Sequence, residues 1–327
     1  MNYTQIEQRF YDIVNPKIQS IHQKPQFLSQ SPQIQSQHIT NQIIIPELQK
    51  LRLEFIKNLS SLTNRNTIYY YSSFVNTNAA NPEFSITDND INGFMNAING
   101  MDKTLGLDLV LHTPGGSVTA TESIVSYLRS VFGDNIRTIV PHLAMSAGTM
   151  ICCASNTIIM GKQSSLGPID PQFRGVSAEG VIEEFETAIQ QTMVAPNRSL
   201  IWKEIISKYP PTFVGDCQKA VDLSKELVTS WLETGMFKSD PNKHDKIVKV
   251  VEHITSHAKT KVHDRHFDIS KCKEIGFSIV QMEDDQKIQD AILSLHHSLV
   301  LSSNVDQALI KLIENNYGQT WITRGSR

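Results

Sequence analysis

Residues 107–118 read LDLVLHTPGGSV. The apolar run Leu107–His112 has the length of a buried strand and is too short for a stable helix. Thr113-Pro114-Gly115-Gly116 then breaks it as a turn, because proline offers no amide donor and glycine accepts positive φ. Thr119–Phe132 follows, with Ile124, Val125, Leu128 and Phe132 on one helical face and Gly133 as a stop. The pattern then repeats. Ile136–Pro141 (IRTIVP) is a second buried strand, Met145–Ala154 a helix of small residues, and Thr157–Met160 a third strand. Strand and helix alternating at these lengths predict right-handed βαβ units with parallel strands.

Outward from this centre, Thr67–Val75 (TIYYYSSFV) is β-branched and aromatic and reads as a strand. Pro46 to Leu62 has helical spacing. Ser85–Met101 holds a capped helix that starts near Thr87 or Asp88 and ends at Gly100. Residues 178–236 read as helical with a break at Tyr209-Pro210-Pro211, and 245–260 as another helix. Phe277–Val280 reads as a last strand, and 285–315 as one or two helices. Residues 1–40 are rich in Gln, Ser and Pro, which favours a partly ordered arm or one that packs on another subunit. The expected division is a Gln-rich N-terminal arm over 1–45, a catalytic core over 46–175, a helical insertion for assembly or a lid over 176–260, and a C-terminal completion of the core over 261–327.

The chain has 327 residues, 40% of them hydrophobic, with 30 Lys+Arg against 33 Asp+Glu for a net charge of −3. That is enough apolar material for a sizeable core, and it excludes a wholly disordered chain. The near-neutral balance gives no reason to expect nucleic acid or a membrane as partner. The N-terminus lacks a basic start and apolar run, and no stretch has transmembrane length, so a cytoplasmic protein is expected. Cys152, Cys153, Cys217 and Cys272 have neither zinc nor disulfide spacing, which fits a reducing compartment, and packing is the expected role of Cys152 and Cys153.

Three short segments each sit just after a predicted strand, where open α/β sheets bind ligands. They are HTPGGS (112–117), AMSAGT (144–149) and SLGPIDP (165–171). Ser146 opens a helix among small neighbours, so a carbonyl can approach its hydroxyl. The Ala147 amide at that helix start and a second amide from the Gly-Gly turn can face a developing oxyanion. A serine with two such donors is what an acyl-transfer enzyme needs. Read singly, a Gly-Gly pair is a turn and a serine at a helix start is a cap; the combination inside one βαβ unit carries the inference.

TPGGSV, AMSAGTM and SSLGPIDPQ together resemble the serine dehydrogenase proteinase family of Clp-fold serine peptidases. These are relatives of the Clp protease proteolytic subunit and of signal peptide peptidase A within the wider crotonase-like fold. The resemblance covers about Asp108–Phe173 and, more weakly, HDRHFDISKCKEIGF (263–277). It implies an α/β Clp/crotonase-like fold of repeated βαβ units, with a helical N-terminal arm and helical C-terminal additions. It implies a serine peptidase acting on a peptide or protein, with Ser146 as nucleophile, the Gly115 and Ala147 amides as oxyanion hole and Gly116 supporting the turn. It also implies a homo-oligomer. No cofactor and no metal are implied, and with no P-loop in the chain any ATP dependence would come from a regulatory partner protein.

The general base stays open at this level. The Clp proteolytic subunit has a histidine where this chain has Asp170, and no lysine matches that of signal peptide peptidase A. His263 lies in the second resembling segment, with Asp264 beside it, and Asp170 could orient its imidazole by triad logic. His142, His112 and Lys162 are the other candidates; the first two read more simply as core histidines and the third as a solvated turn residue. His263-Asp264-Arg265-His266 gives no third ligand in register for a metal. Two rival readings use the same residues: a crotonase-like enzyme acting on a CoA thioester with only the amides, and a non-catalytic scaffold or regulatory subunit without a working base.

Overall fold

The structure, a computed structural model, describes residues 1–75, 81–173, 175–256 and 265–325. Its strands are β1 (Asn66–Ser72), β2 (Leu107–His112), β3 (Ile136–Val140), β4 (Leu143–Ala144), β5 (Thr157–Met160), β6 (Ser165–Leu166), β7 (Gln172–Phe173), β8 (Val176–Ser177), β9 (Ile279–Gln281), β10 (Leu309–Asn315) and β11 (Thr320–Arg324). Seven of them form one sheet in the order β11-β10-β1-β2-β3-β5-β9. The run from β1 to β9 is parallel and follows chain order, whereas β10 pairs antiparallel with β1 and β11 antiparallel with β10. This is the expected α/β architecture of successive βαβ units.

Both faces of the sheet are covered, which is why its central strands are apolar throughout instead of alternating. In β1, Ile68 and Tyr70 join one core with Leu109, Leu111 and the helices Asp90–Ile98, Val118–Phe132 and Ala147–Cys153. Tyr69 and Tyr71 join the other, with Val110 and the helices Tyr3–His22, Ile45–Thr63 and Gln286–Val305. Cys152 and Cys153 are free and buried in the first core, and burial pushes the Cys152 thiol up to about 12, as packing residues would have it. No helix among the described residues is long and apolar enough to cross a membrane.

Two segments differ from the sequence reading. The N-terminal stretch expected as a partly ordered arm contains the helix Tyr3–His22, whose Ile6, Phe10 and Val14 are buried in the second core. Those three are spaced four residues apart, a narrow apolar stripe that the surrounding glutamines hide in composition. The segment 285–315, expected to be helical, is a helix only to Val305; Leu309–Asn315 is a strand. LIKLIEN has no β-specific local pattern, and its state is set by pairing with β1 along Ile68–Ser72.

At the end of β2, His112 stacks against Tyr71 and His142, and His296 from the helix Gln286–Val305 closes the group. Burial first, and the neighbouring His142 second, push His112 down to about 3 against the pull of the Ser72 carbonyl, 2.9 Å from its Nδ1. Burial also drives His296 well below its ordinary value, with the His112, His297 and His142 charges adding to it. Both imidazoles are therefore neutral in the fold, while the unfolded chain protonates them near pH 6.5. Below that pH the unfolded state binds more protons, so stability must fall with pH, by about 1.4 kcal/mol per unit for each such group. Urea midpoints measured from about pH 7.5 downward are expected to drop below about pH 6.5, and His112→Phe to make the slope shallower. An unchanged slope in that variant would contradict the assignment.

Candidate active site

The helix Ala147–Cys153 starts directly after β4 and Met145, and Ser146 occupies the junction. Its backbone has φ 50° and ψ −113°, a conformation that a residue with a Cβ rarely adopts. Its side chain makes no capping hydrogen bond, so the plain N-cap role is not the one it plays. A strained serine at a sharp strand-to-helix turn, held there by its surroundings, is a recurrent arrangement for an exposed nucleophilic hydroxyl. Ala147 is the first helical residue, and its N–H has no acceptor within the helix.

The Gly-Gly turn lies against this junction. Thr113 bridges to the β4 segment, its N–H donating to Leu143 O (3.0 Å) and its carbonyl accepting from Met145 N (3.0 Å). Gly115 has φ 99°, and a Cβ there would stand 2.7 Å from Met145 O, 2.8 Å from Ser146 Cβ and 3.0 Å from Ala147 N. Only glycine permits that approach. The Gly115 amide donates to Thr113 Oγ1 at 3.1 Å. On its far side the turn is gripped by Ile86, whose N–H donates to Gly115 O (2.7 Å) and whose carbonyl accepts from Ser117 N (3.0 Å). This bridge uses the Gly115 carbonyl and the Ser117 N–H and leaves the Gly116 N–H out, and Gly116 lines the same cleft as Ser146.

The third segment is tied in by Thr149. Its hydroxyl donates to Ala144 O (2.9 Å) or to Gly167 O (2.9 Å) and accepts from Gly167 N (3.0 Å). Beyond Gly167, Ile169 N donates to Ile254 O (2.6 Å), and Leu166 exchanges both backbone bonds with Phe267. These contacts close a cleft of about 590 Å³ onto which Ser146, Gly115, Gly116 and Asp170 all open. That volume suits a ligand site. Asp170 is 3% exposed.

The structure thus brings Ser146, both glycines, Ala147 and Asp170 together. It does not bring His112, His142 or Lys162 to the cleft. The two histidines belong to the stack beside Tyr71, and Lys162 is an exposed residue whose N–H donates to Glu283. His263 and Asp264 lie outside the described residues; the described flanks of their segment, Ile254 and Phe267, are the residues bonded to Ile169 and Leu166. Sequence reasoning missed the Ile86 clamp, the Thr149 tie and the cleft wall from the helix Phe213–Thr234, which contributes Ala220 and Leu223. All three are long-range contacts, and only the small hydroxyl residue just inside the serine helix hinted at the second.

Residues 39–304 match the profile of the ClpP-like SDH-type serine proteinases. The chain is also similar to two uncharacterized proteins of Methanocaldococcus jannaschii. MJ0137 is 28% identical over 240 residues, covering 73% of this chain and 76% of that protein. MJ1495 is 29% identical over 198 residues, covering 59% of each. Among solved structures it is similar to a serine-to-alanine mutant of 1510-N, a membrane-bound stomatin-specific protease, at 16% identity over 63% of this chain and 79% of that one, with a TM-score of 0.38. With most of its length matched, the chain belongs to the ClpP-like SDH-type serine proteinase family.

Proposed function

We propose that the protein is a serine endopeptidase that cleaves peptide bonds through a Ser146 acyl-enzyme. The observation that carries this reading is the strained Ser146 backbone, seated against Gly115 at the floor of the cleft. Ser146 Oγ attacks the scissile carbonyl carbon and loses its proton to the base. The carbonyl oxygen becomes an oxyanion held by backbone amides. The C–N bond then breaks, the amine leaves with the proton from the base, and water hydrolyses the ester. We assign the oxyanion donors as the amides of Ala147 and Gly116. Gly115, expected from the resemblance to donate, has its N–H engaged by Thr113 and serves instead as the gap through which the two loops meet.

In this reading His263 is the base and Asp170 orients it. The placement of Asp170 in the cleft, and the anchoring of both flanks of the 257–264 segment beside it, support the pairing. Val118, Met150, Ile169 and Leu223 give the cleft an apolar side, which favours an apolar substrate side chain near the cut. A homo-oligomer belongs to the same proposal; Ile189, Met193, Val194, Leu200 and Ile201 form an exposed apolar set on 189–201 that would support it.

Intact-mass labelling with a fluorophosphonate tests the assignment. One adduct is expected on the wild type and none on Ser146→Ala. Equal labelling of both, or of neither, would remove Ser146 from the nucleophile role.

A further inference from the structure

We propose that the buried Asp90–Lys311 ion pair is a positioning device for the Gly116 amide, an inference that rests on Ser146 being the nucleophile. Asp90 opens the helix Asp90–Ile98, Lys311 lies in β10, and their exposures are 0% and 3%. Lys311 Nζ stands 2.7 Å from Asp90 Oδ1. The same ammonium donates to the Ser85 carbonyl at 3.0 Å and to Thr87 Oγ1 at 3.3 Å. Asp90 Oδ2 accepts from Thr87 N at 2.9 Å and from Tyr70 Oη at 3.0 Å.

The partners of both charges therefore converge on Ser85 and Thr87. Between these two residues lies Ile86, whose backbone brackets Gly116 on both sides. A Cβ on Gly116 would stand 2.3 Å from Ile86 N, so the two chains leave no slack between them.

Stability is a weak reason to keep a pair this deeply buried, because apolar residues of similar volume fill such sites at no loss. What a Leu–Met pair cannot supply is the set of directed bonds to Ser85 O and Thr87 N. Those bonds fix where Ile86 sits, and Ile86 fixes the direction of the Gly116 N–H. Asp90, Lys311 and Tyr70 do not line the cleft, so they act as positioning residues.

The test is the double variant Asp90→Leu/Lys311→Met, which leaves neither charge unpaired. Its thermal midpoint is expected to fall by only a few degrees, the cost of leaving the Tyr70 hydroxyl and the Thr87 N–H without their acceptor. Its fluorophosphonate labelling rate is expected to fall about 30- to 300-fold, the size of a displaced oxyanion donor. KM for a peptide should change much less than kcat, because Asp90, Lys311 and Tyr70 do not themselves line the cleft. Hydrogen exchange should quicken in peptides covering Phe84–Asp88 and Pro114–Val118, a readout independent of activity. Tyr70→Phe keeps the ion pair and the ring, and is expected to slow labelling by about 3- to 10-fold; it carries the test if the double variant does not fold. Labelling within threefold of wild type with unchanged exchange would overturn the proposal. A wild type that takes no label would instead overturn the nucleophile assignment, and exchange would still decide whether the pair holds the turn.

Discussion

Ser146→Ala is expected to reduce peptide hydrolysis by about 10⁴- to 10⁶-fold, and Ser146→Gly to do the same while melting at a higher temperature than the alanine variant. The activity loss follows from removing the only atom that forms the acyl bond. The stability difference follows from the backbone. At φ 50° and ψ −113° any side chain with a Cβ is strained, at a cost of about 1–3 kcal/mol, and alanine inherits that cost from serine. Glycine escapes it, less about 0.5–1 kcal/mol for the added freedom of the unfolded chain. A net gain of about 1 kcal/mol, or about 2 °C in a protein of this size, is expected for glycine over alanine. Parallel melts of the two variants measure it. If they melt together, Ser146 is not held under strain and the observation that carries the proposed function is lost.

Gly115→Ala is expected to cost about 2–5 kcal/mol of stability together with more than about 100-fold in activity. The added methyl would meet Met145 O at 2.7 Å, Ser146 Cβ at 2.8 Å and Ala147 N at 3.0 Å, and two of those atoms are backbone that cannot swing aside. The φ of 99° adds strain of its own. Relief must come from separating the Gly-Gly turn from the serine junction, which strains the Thr113 bridge and moves the proposed Gly116 donor away from Ser146. Gly133→Ala is the control: its φ is also positive, at 61°, but no atom lies within 4 Å of the added methyl. It should lose stability and keep the rate per folded molecule. A Gly115→Ala protein with wild-type turnover would mean that the close approach has no part in catalysis.

The βαβ centre was legible because its signals are local. LDLVLH, IRTIV and TIIM are short apolar runs bounded by glycine, proline or polar turns, and they became β2, β3 and β5 with nearly the expected limits. Ser146 and the Gly-Gly turn were legible for the same reason, as small residues at strand ends. LIKLIEN was not, since a strand that borrows its state from β1 carries no pattern of its own. Nor was the docking of the helix Tyr3–His22 into the core, where three buried side chains are outnumbered by polar ones on the same turns. Among the base candidates, a histidine's identity alone cannot say which face of the sheet it takes. His112 and Val110 are two residues apart on one strand, so they share a face, and that face belongs to the core away from the serine helix.

The position of β10 in the chain has a consequence for synthesis. A growing polypeptide that has reached residue 300 already contains Ser146, both turn glycines and Asp170, yet it has not made Lys311 or the strand that docks beside β1. Without them Ser85–Thr87 lacks the bonds from the Lys311 ammonium, which on the proposed reading help to set the direction of the Gly116 amide. On the proposed reading, a growing polypeptide that stops short of β10 carries the serine and both turn glycines before it carries the ammonium that steadies the turn, so the order of the elements along the chain delays cleavage until β10 has docked.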